Sequence, residues 1–201
     1  MTNTGMGNPP GLVLASASPR RASLLKEAGY QFSVQAADID ERAIAGSLPP
    51  IEMAEKLALA KAEFVGGRFP DHVVLAADTV VALGDLAVGK PTDPSEARAM
   101  LQLLSGTTQM VITAVCVHRQ SASLARMDHV ISAVRMAPLS ASEIDAYIAS
   151  GQWQGKAGGY GIQDPDPFVE RIRGCRTNIV GLPMKTTARL LESAGIYPNK
   201  T

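Results

Sequence analysis

The sequence predicts an α/β or α+β protein built on a mixed, twisted β-sheet. Three observations carry that expectation. Short apolar runs without helical period, at residues 11–15 and 73–77, read as buried strands. Several segments open on a capping residue followed by proline or glutamate and then show helical spacing. Two long β-rich segments, around 107–119 and 123–136, follow one another closely enough to form a hairpin.

The elements can be justified in order. Gly11-Leu12-Val13-Leu14-Ala15 is the first strand. A helix follows at once: Ser18 is an N-cap, Pro19 suits the first turn and Gly29 the stop. Phe32 and Val34 alternate with polar neighbours, a second strand, which runs into Asp38-Ile39-Asp40-Glu41. Pro49-Pro50 precedes a second helix, with Met53, Leu57, Lys61 and Phe64 or Val65 at helical spacing and Gly66-Gly67 at its end. The run from Val73 ends abruptly at Asp78-Thr79. Residues 80–83 continue extended, and Gly84-Asp85 turns the chain into 86–88. Asp93-Pro94-Ser95-Glu96 caps a helix through Met100, Leu101 and Leu104, stopping near Gly106. After the hairpin, Ser140-Ala141-Ser142-Glu143 is a capping box for a helix to Ser150, closed by Gly151. Residues 156–161 are glycine-rich, 168–172 extended, and a last helix runs from Pro183 to near Ala194. No repeat, linker or low-complexity segment interrupts this order.

Composition bounds the function. The 201 residues suffice for one large domain or two small ones. Nineteen basic residues balance nineteen acidic ones, which argues against binding nucleic acid through bulk charge. Aromatic residues are 4% of the chain, too few for a base-stacking platform, so the core is built mainly of Ala, Val, Leu and Ile. Cys116 and Cys175 form no Cys-x-x-Cys pair and read as small buried hydrophobes. His72, His118 and His129 show no metal spacing. Residues 1–10 have neither a basic nor an apolar signal region and are expected to be a loose tail ahead of a single domain at 11–197. No stretch approaches the roughly 20 apolar residues of a membrane span. The expectation is a soluble, cytoplasmic protein.

Four constellations could carry chemistry. In Ser16-Ala17-Ser18-Pro19-Arg20-Arg21, a strand delivers hydroxyls and two arginines onto a helix N-terminus, where unpaired N–H groups and the dipole favour a phosphate chain. Stability alone would not put two cations in that turn. Asp78 follows a buried strand, the place where α/β proteins put their sites. With Glu41, or with Asp38 and Asp40, it could hold Mg²⁺ beside a phosphate. An Asp that caps a turn explains it equally well. Lys61 lies on or beside an apolar helix stripe and must snorkel or find an anion, and Lys90 is fixed between Gly89 and Pro91. Last, Lys156-Ala157-Gly158-Gly159-Tyr160-Gly161-Ile162-Gln163 allows close backbone approach, and the Gln163 amide could read a base edge. It is not a P-loop, because its lysine precedes the glycines.

Together these segments resemble the Maf family of nucleoside triphosphate pyrophosphatases over residues 12–191. The landmarks are Leu-Ala-Ser-Ala-Ser-Pro-Arg-Arg at 14–21, Asp-Ile-Asp-Glu at 38–41, Ala-Ala-Asp-Thr-Val-Val at 76–81 and Gly-Lys-Pro at 89–91. Leu-Ser-Gly at 104–106, Lys-Ala-Gly-Gly-Tyr-Gly-Ile-Gln at 156–163 and Val-Gly-Leu-Pro at 180–183 complete the set. The resemblance implies a fold similar to inosine triphosphate pyrophosphatase, with two lobes around a cleft, and often a homodimer. It implies hydrolysis of a nucleoside triphosphate to the monophosphate and pyrophosphate with Mg²⁺ or Mn²⁺. On that pattern Asp78 is the central acid, Glu41 and Asp78 hold the metal, and Ser16, Ser18, Arg21, Lys61 and Lys90 face the phosphates. Arg20, Thr79 and Gln163 match the branch that acts on dTTP and UTP, with a house-cleaning role toward modified pyrimidine nucleotides within its range. The branch preferring 7-methyl-GTP typically carries Trp, Gln and Glu there. Asp164-Pro165-Asp166-Pro167 departs from the small, glycine-containing turn usual after Gln163. A non-catalytic nucleotide-binding regulator of cell division is the rival from another class. Retention of Glu41 and Asp78 argues against it; neutral charge and few aromatics argue against a DNA-binding version, and no stable nucleic-acid binding is expected.

Overall fold

The computed structural model describes residues 11–165 and 168–199; the expected tail at 1–10 and part of the 164–167 turn lie outside the described residues. The chain opens with β1 (Leu12–Leu14), α1 (Pro19–Glu27), β2 (Ser33–Val34), α2 (Glu41–Ala45) and α3 (Pro50–Gly66). It continues with β3 (Val73–Leu83), β4 (Leu86–Val88) and α4 (Pro94–Leu104). The long hairpin is β5 (Thr108–Arg119) and β6 (Leu124–Met136). Then come α5 (Ala141–Ala149), β7 (Val169–Arg173), α6 (Arg176–Val180) and α7 (Met184–Ser193). The strands form one mixed sheet in the order β2-β1-β3-β5-β6-β7, with β4 on β3. Pairing is parallel at β1 with β2 and β3, and antiparallel elsewhere.

The expected caps form. Ser18 accepts from the Arg21 amide, Asp93 from Glu96, and Ser140 with Glu143 closes a capping box. One expectation needs correction. Asp78 does not end a strand: β3 runs unbroken from Val73 to Leu83, because β5 pairs with it from Val74 to Ala82. What does end is its neighbour. β1 covers β3 only as far as Leu75, and β4 covers it again only from Val81. The stretch holding Asp78 and Thr79 therefore has no strand beside it on that edge, and the Ala15–Arg21 loop and helix start fill the space. The rule that sites lie beyond strand ends holds here through β1.

Strand alternation sends successive residues of β3 to opposite faces. Even positions Val74, Ala76, Val80 and Ala82 pack with Ala54, Ala58, Ala62 and Val65 of α3. Odd positions Leu75 and Ala77 join Leu25 of α1 and Leu190 and Leu191 of α7 in a second cluster. Val81 joins Leu101 and Leu104 of α4 and Ile144 of α5 in a third. On the odd face the two clusters are separated by one polar rung, Thr79 directly opposite Thr113 of β5. A cleft opens at that rung.

Candidate active site

The cleft has a volume of about 380 Å³ and is lined by Ser16 to Arg21, Glu41, Lys61, Thr79, Lys90, residues 154–157, residues 160–164 and the turn at 179–181. It gathers every site residue expected from sequence except Asp78, which is 2% exposed and sits just behind Lys61.

On the α3 face, Lys61 is 5% exposed, yet its ammonium is not an orphan. Its Nζ lies 2.5 Å from Asp78 Oδ1 and 2.8 Å from Glu41 Oε1. One buried cation thus joins two carboxylates that lie 20 residues before it and 17 after it in the chain. Lys90 reinforces the arrangement, donating to both Glu41 oxygens at 3.1 and 2.9 Å. Burial raises the Glu41 pKa, but Lys61 and Lys90 outweigh it and hold the carboxyl at about 2. Asp78 Oδ2 accepts no hydrogen bond among the described residues. Asp38 and Asp40, the other candidate carboxylates, are exposed and line no part of the cleft; Asp40 instead caps α2 through the Ala43 amide.

Glu41 itself rides on α2, a five-residue helix with no buried residue. Polar contacts hold it. Besides the two lysines, Arg42 pairs with Glu96 at the start of α4 at 2.9 Å. Sequence reading missed this helix because it is too short to show an apolar stripe.

On the opposite face Arg21 is buried and fully engaged. Its Nε donates to the Gly181 carbonyl at 2.8 Å, Nη1 to Ser16 Oγ at 3.1 Å and Nη2 to Thr79 Oγ1 at 3.0 Å. Burial lowers its pKa, while Asp78 pulls it back up. Gly181 has φ +117, a backbone conformation that favours glycine, and a Cβ there would stand in ordinary contact, 3.4 Å, with both Arg21 Nε and Thr79 Oγ1. Arg20, by contrast, reaches across the cleft and donates to the Gly155 carbonyl at 3.2 Å.

The glycine-rich segment forms the far wall. Gly158 and Gly159 both adopt positive φ, which turns the loop back on itself. Asp164 then ties it: its carboxylate accepts from Lys156 Nζ, from Tyr147 at 2.7 Å and from the Gly161 amide at 3.0 Å. Gln163 is left at the exposed rim of the cleft, free to meet a ligand. Asp164, the first residue of the segment that departs from the family turn, is therefore a clasp. Nothing in the residue types around Asp164 announces it, since its three donors come from separate points between 147 and 161.

Arg20, Arg21, Lys61, Lys90 and Lys156 outnumber the carboxylates Glu41, Asp78 and Asp164. The α1 N-terminus, with no acidic residue in its first turn, faces the same space. That excess of positive charge suits a polyanion. Two carboxylates converging on one cation also offer the hard oxygen donors that Mg²⁺ takes, one or two at a time, beside phosphate and water. Among the described residues no group of three or more His, Cys, Asp or Glu could hold an ion without such help.

The chain is similar to several known proteins. A family model described as Maf-like protein matches residues 11–194. A "dTTP/UTP pyrophosphatase" of Anaeromyxobacter dehalogenans is 46% identical over 92% of this chain and 95% of its own length. One from Roseobacter denitrificans is 48% identical, over 91% and 96%. Among solved structures, a HAM1 protein from Coxiella burnetii covers 91% of this chain and 99% of its own at a TM-score of 0.50, with 16% identity, a likeness of fold alone.

Proposed function

This chain belongs to the Maf family, and on that premise we propose that it hydrolyses dTTP and UTP to their monophosphates and pyrophosphate. The observation that carries this reading is the Lys61 ammonium holding Glu41 and Asp78 together at the wall of a cationic cleft. The catalytic unit is the single domain at 11–197, acting on free nucleotides in the cytoplasm and, on the family's pattern, as a homodimer.

In this mechanism the triphosphate lies along the start of α1, facing Ser16, Ser18 and Arg21, with Lys61 and Lys90 opposite. Glu41 and Asp78 would hold Mg²⁺ or Mn²⁺, which supplies charge neutralisation at the phosphoryl oxygens. Asp78 Oδ2, which has no donor among the described residues, takes a proton from the water that attacks the α-phosphorus. The P–O bond to the β-phosphate breaks and pyrophosphate leaves. The lysines and Arg21 are fixed before substrate arrives, so they meet the developing charge without reorganising. Arg20, Thr79 and Gln163 face the base.

The test is a substrate panel with the purified protein and either metal: UTP, dTTP, CTP and 7-methyl-GTP, with separate detection of pyrophosphate and orthophosphate. Pyrophosphate from UTP and dTTP is expected. Preference for 7-methyl-GTP, or orthophosphate as the product, would refute the reading.

A further inference from the structure

We propose that Thr113, a fully buried residue that does not line the cleft, sets what the cleft reads: it fixes the Thr79 hydroxyl so that Thr79 offers the base an acceptor and never a donor. The inference rests on the pyrimidine nucleotide reading above. Thr113 is a positioning residue and touches no substrate.

The hydrogen bonds allow only one direction. A hydroxyl has one hydrogen and two lone pairs. The Asn178 carbonyl can only accept, so its 3.0 Å contact uses the Thr113 hydrogen. Thr113 must then accept from Thr79 at 3.0 Å, which uses the Thr79 hydrogen. Arg21 Nη2 can only donate, and it occupies one Thr79 lone pair. One lone pair remains, on a residue at the cleft wall. The far end of the chain is anchored. Asn178 Nδ2 donates to the Val111 carbonyl and to Ser132 Oγ, both at 2.9 Å, and Ser132 donates to the Cys175 carbonyl.

Uracil and thymine share an N3–H between two carbonyls. Cytosine has a bare lone pair at N3. Against an acceptor-only Thr79, the N3–H of the first two is satisfied, whereas cytosine sets two acceptors face to face. A site built to accept an N–H rejects the analogue that lacks it. The group read is therefore the imide N–H, and the selector is set two residues deep in the sheet.

The experiment measures kcat and KM for UTP and CTP in the wild type, Thr113→Val and Thr113→Ser. Valine keeps the shape but frees the Thr79 hydrogen to turn toward the cleft. The UTP-to-CTP ratio of kcat/KM should then fall about tenfold, mainly through KM, and serine should restore it. A folded valine variant with an unchanged ratio overturns the proposal, as does equal loss on both substrates. Should the valine variant fail to fold, Thr113→Cys, with its weak S–H donor, replaces it. The wild type adds its own test: N3-methyl-UTP, with both carbonyls and no N3–H, should be rejected as CTP is, and turnover matching UTP overturns the proposal. A wild type that releases no pyrophosphate from UTP sinks the functional reading itself, before any variant is made.

Discussion

Asp78 and Thr79 are neighbours on β3, yet they face environments of opposite kind. Behind Asp78 the α3 face is ionic: one lysine, two carboxylates and a second lysine, with charge satisfying charge. Behind Thr79 the other face is a chain of hydroxyl, amide and carbonyl groups, ending on a single buried guanidinium. The ionic side suits the cutting of a phosphoanhydride, where charge develops. The neutral side suits discrimination, where the direction of a hydrogen bond decides. Alternation along one strand is enough to keep the two environments apart.

The sharpest way to break the ionic side is to remove Lys61. Lys61→Met leaves Asp78 buried without its cation, and losing one partner of a buried pair costs about 3–5 kcal/mol. Urea unfolding measures it; a variant as stable as the wild type would mean the pair contributes nothing. Asp78→Asn tests the same pair from the other end with a smaller structural cost, because Lys61 keeps Glu41. It should fold, yet kcat should fall by at least about 100-fold. Near-normal turnover would remove Asp78 from the proposed chemistry.

On the neutral side, Arg21→Lys replaces a fork that serves three acceptors with a single ammonium. About 1–3 kcal/mol of stability should be lost for the polar groups left unpaired, read from the urea midpoint. Gln163→Glu, at the exposed rim, should shift base preference with the melting temperature unchanged; an identical substrate profile would exclude Gln163 as a reader. The smallest effect is in pH. The Glu41 carboxyl has its pKa depressed from 4.5 to about 2 in the folded protein, so its charge supports folding above the unfolded value and that support fades as pH drops toward 2. Wild type and Glu41→Gln should therefore differ in stability at pH 6 and converge near pH 2. A gap that persists at pH 2 would assign the effect to packing instead.

The sequence was most legible where local chemistry decides structure. Ser18-Pro19, Asp93-Pro94 and the Ser140–Glu143 box each mark a helix start because the cap is a contact three residues long. The β5–β6 hairpin was visible because both segments are long, β-rich and close together in the chain. Asp78 misled because a carboxylate after a valine-rich run looks like a stop. Only the pairing with β5 carries the strand past it. The sequence offered the partners of Glu41 and Asp78 as separate lysines, and nothing local says that Lys61 meets both. The Thr113–Asn178 link and the Asp164 clasp stayed hidden for the same reason: each depends on segments that meet only after folding.

The unbroken course of β3 past the point where β1 leaves it has a further consequence. With the register to β1 held at Leu75, a single residue gained or lost between Leu75 and Asp78 would turn the threonine toward α3 and the aspartate toward Arg21, so that each would meet the other's surroundings. Arg21 is the one group tied to both proposals, because it holds the Thr79 hydroxyl and, in the proposed mechanism, also meets the phosphates.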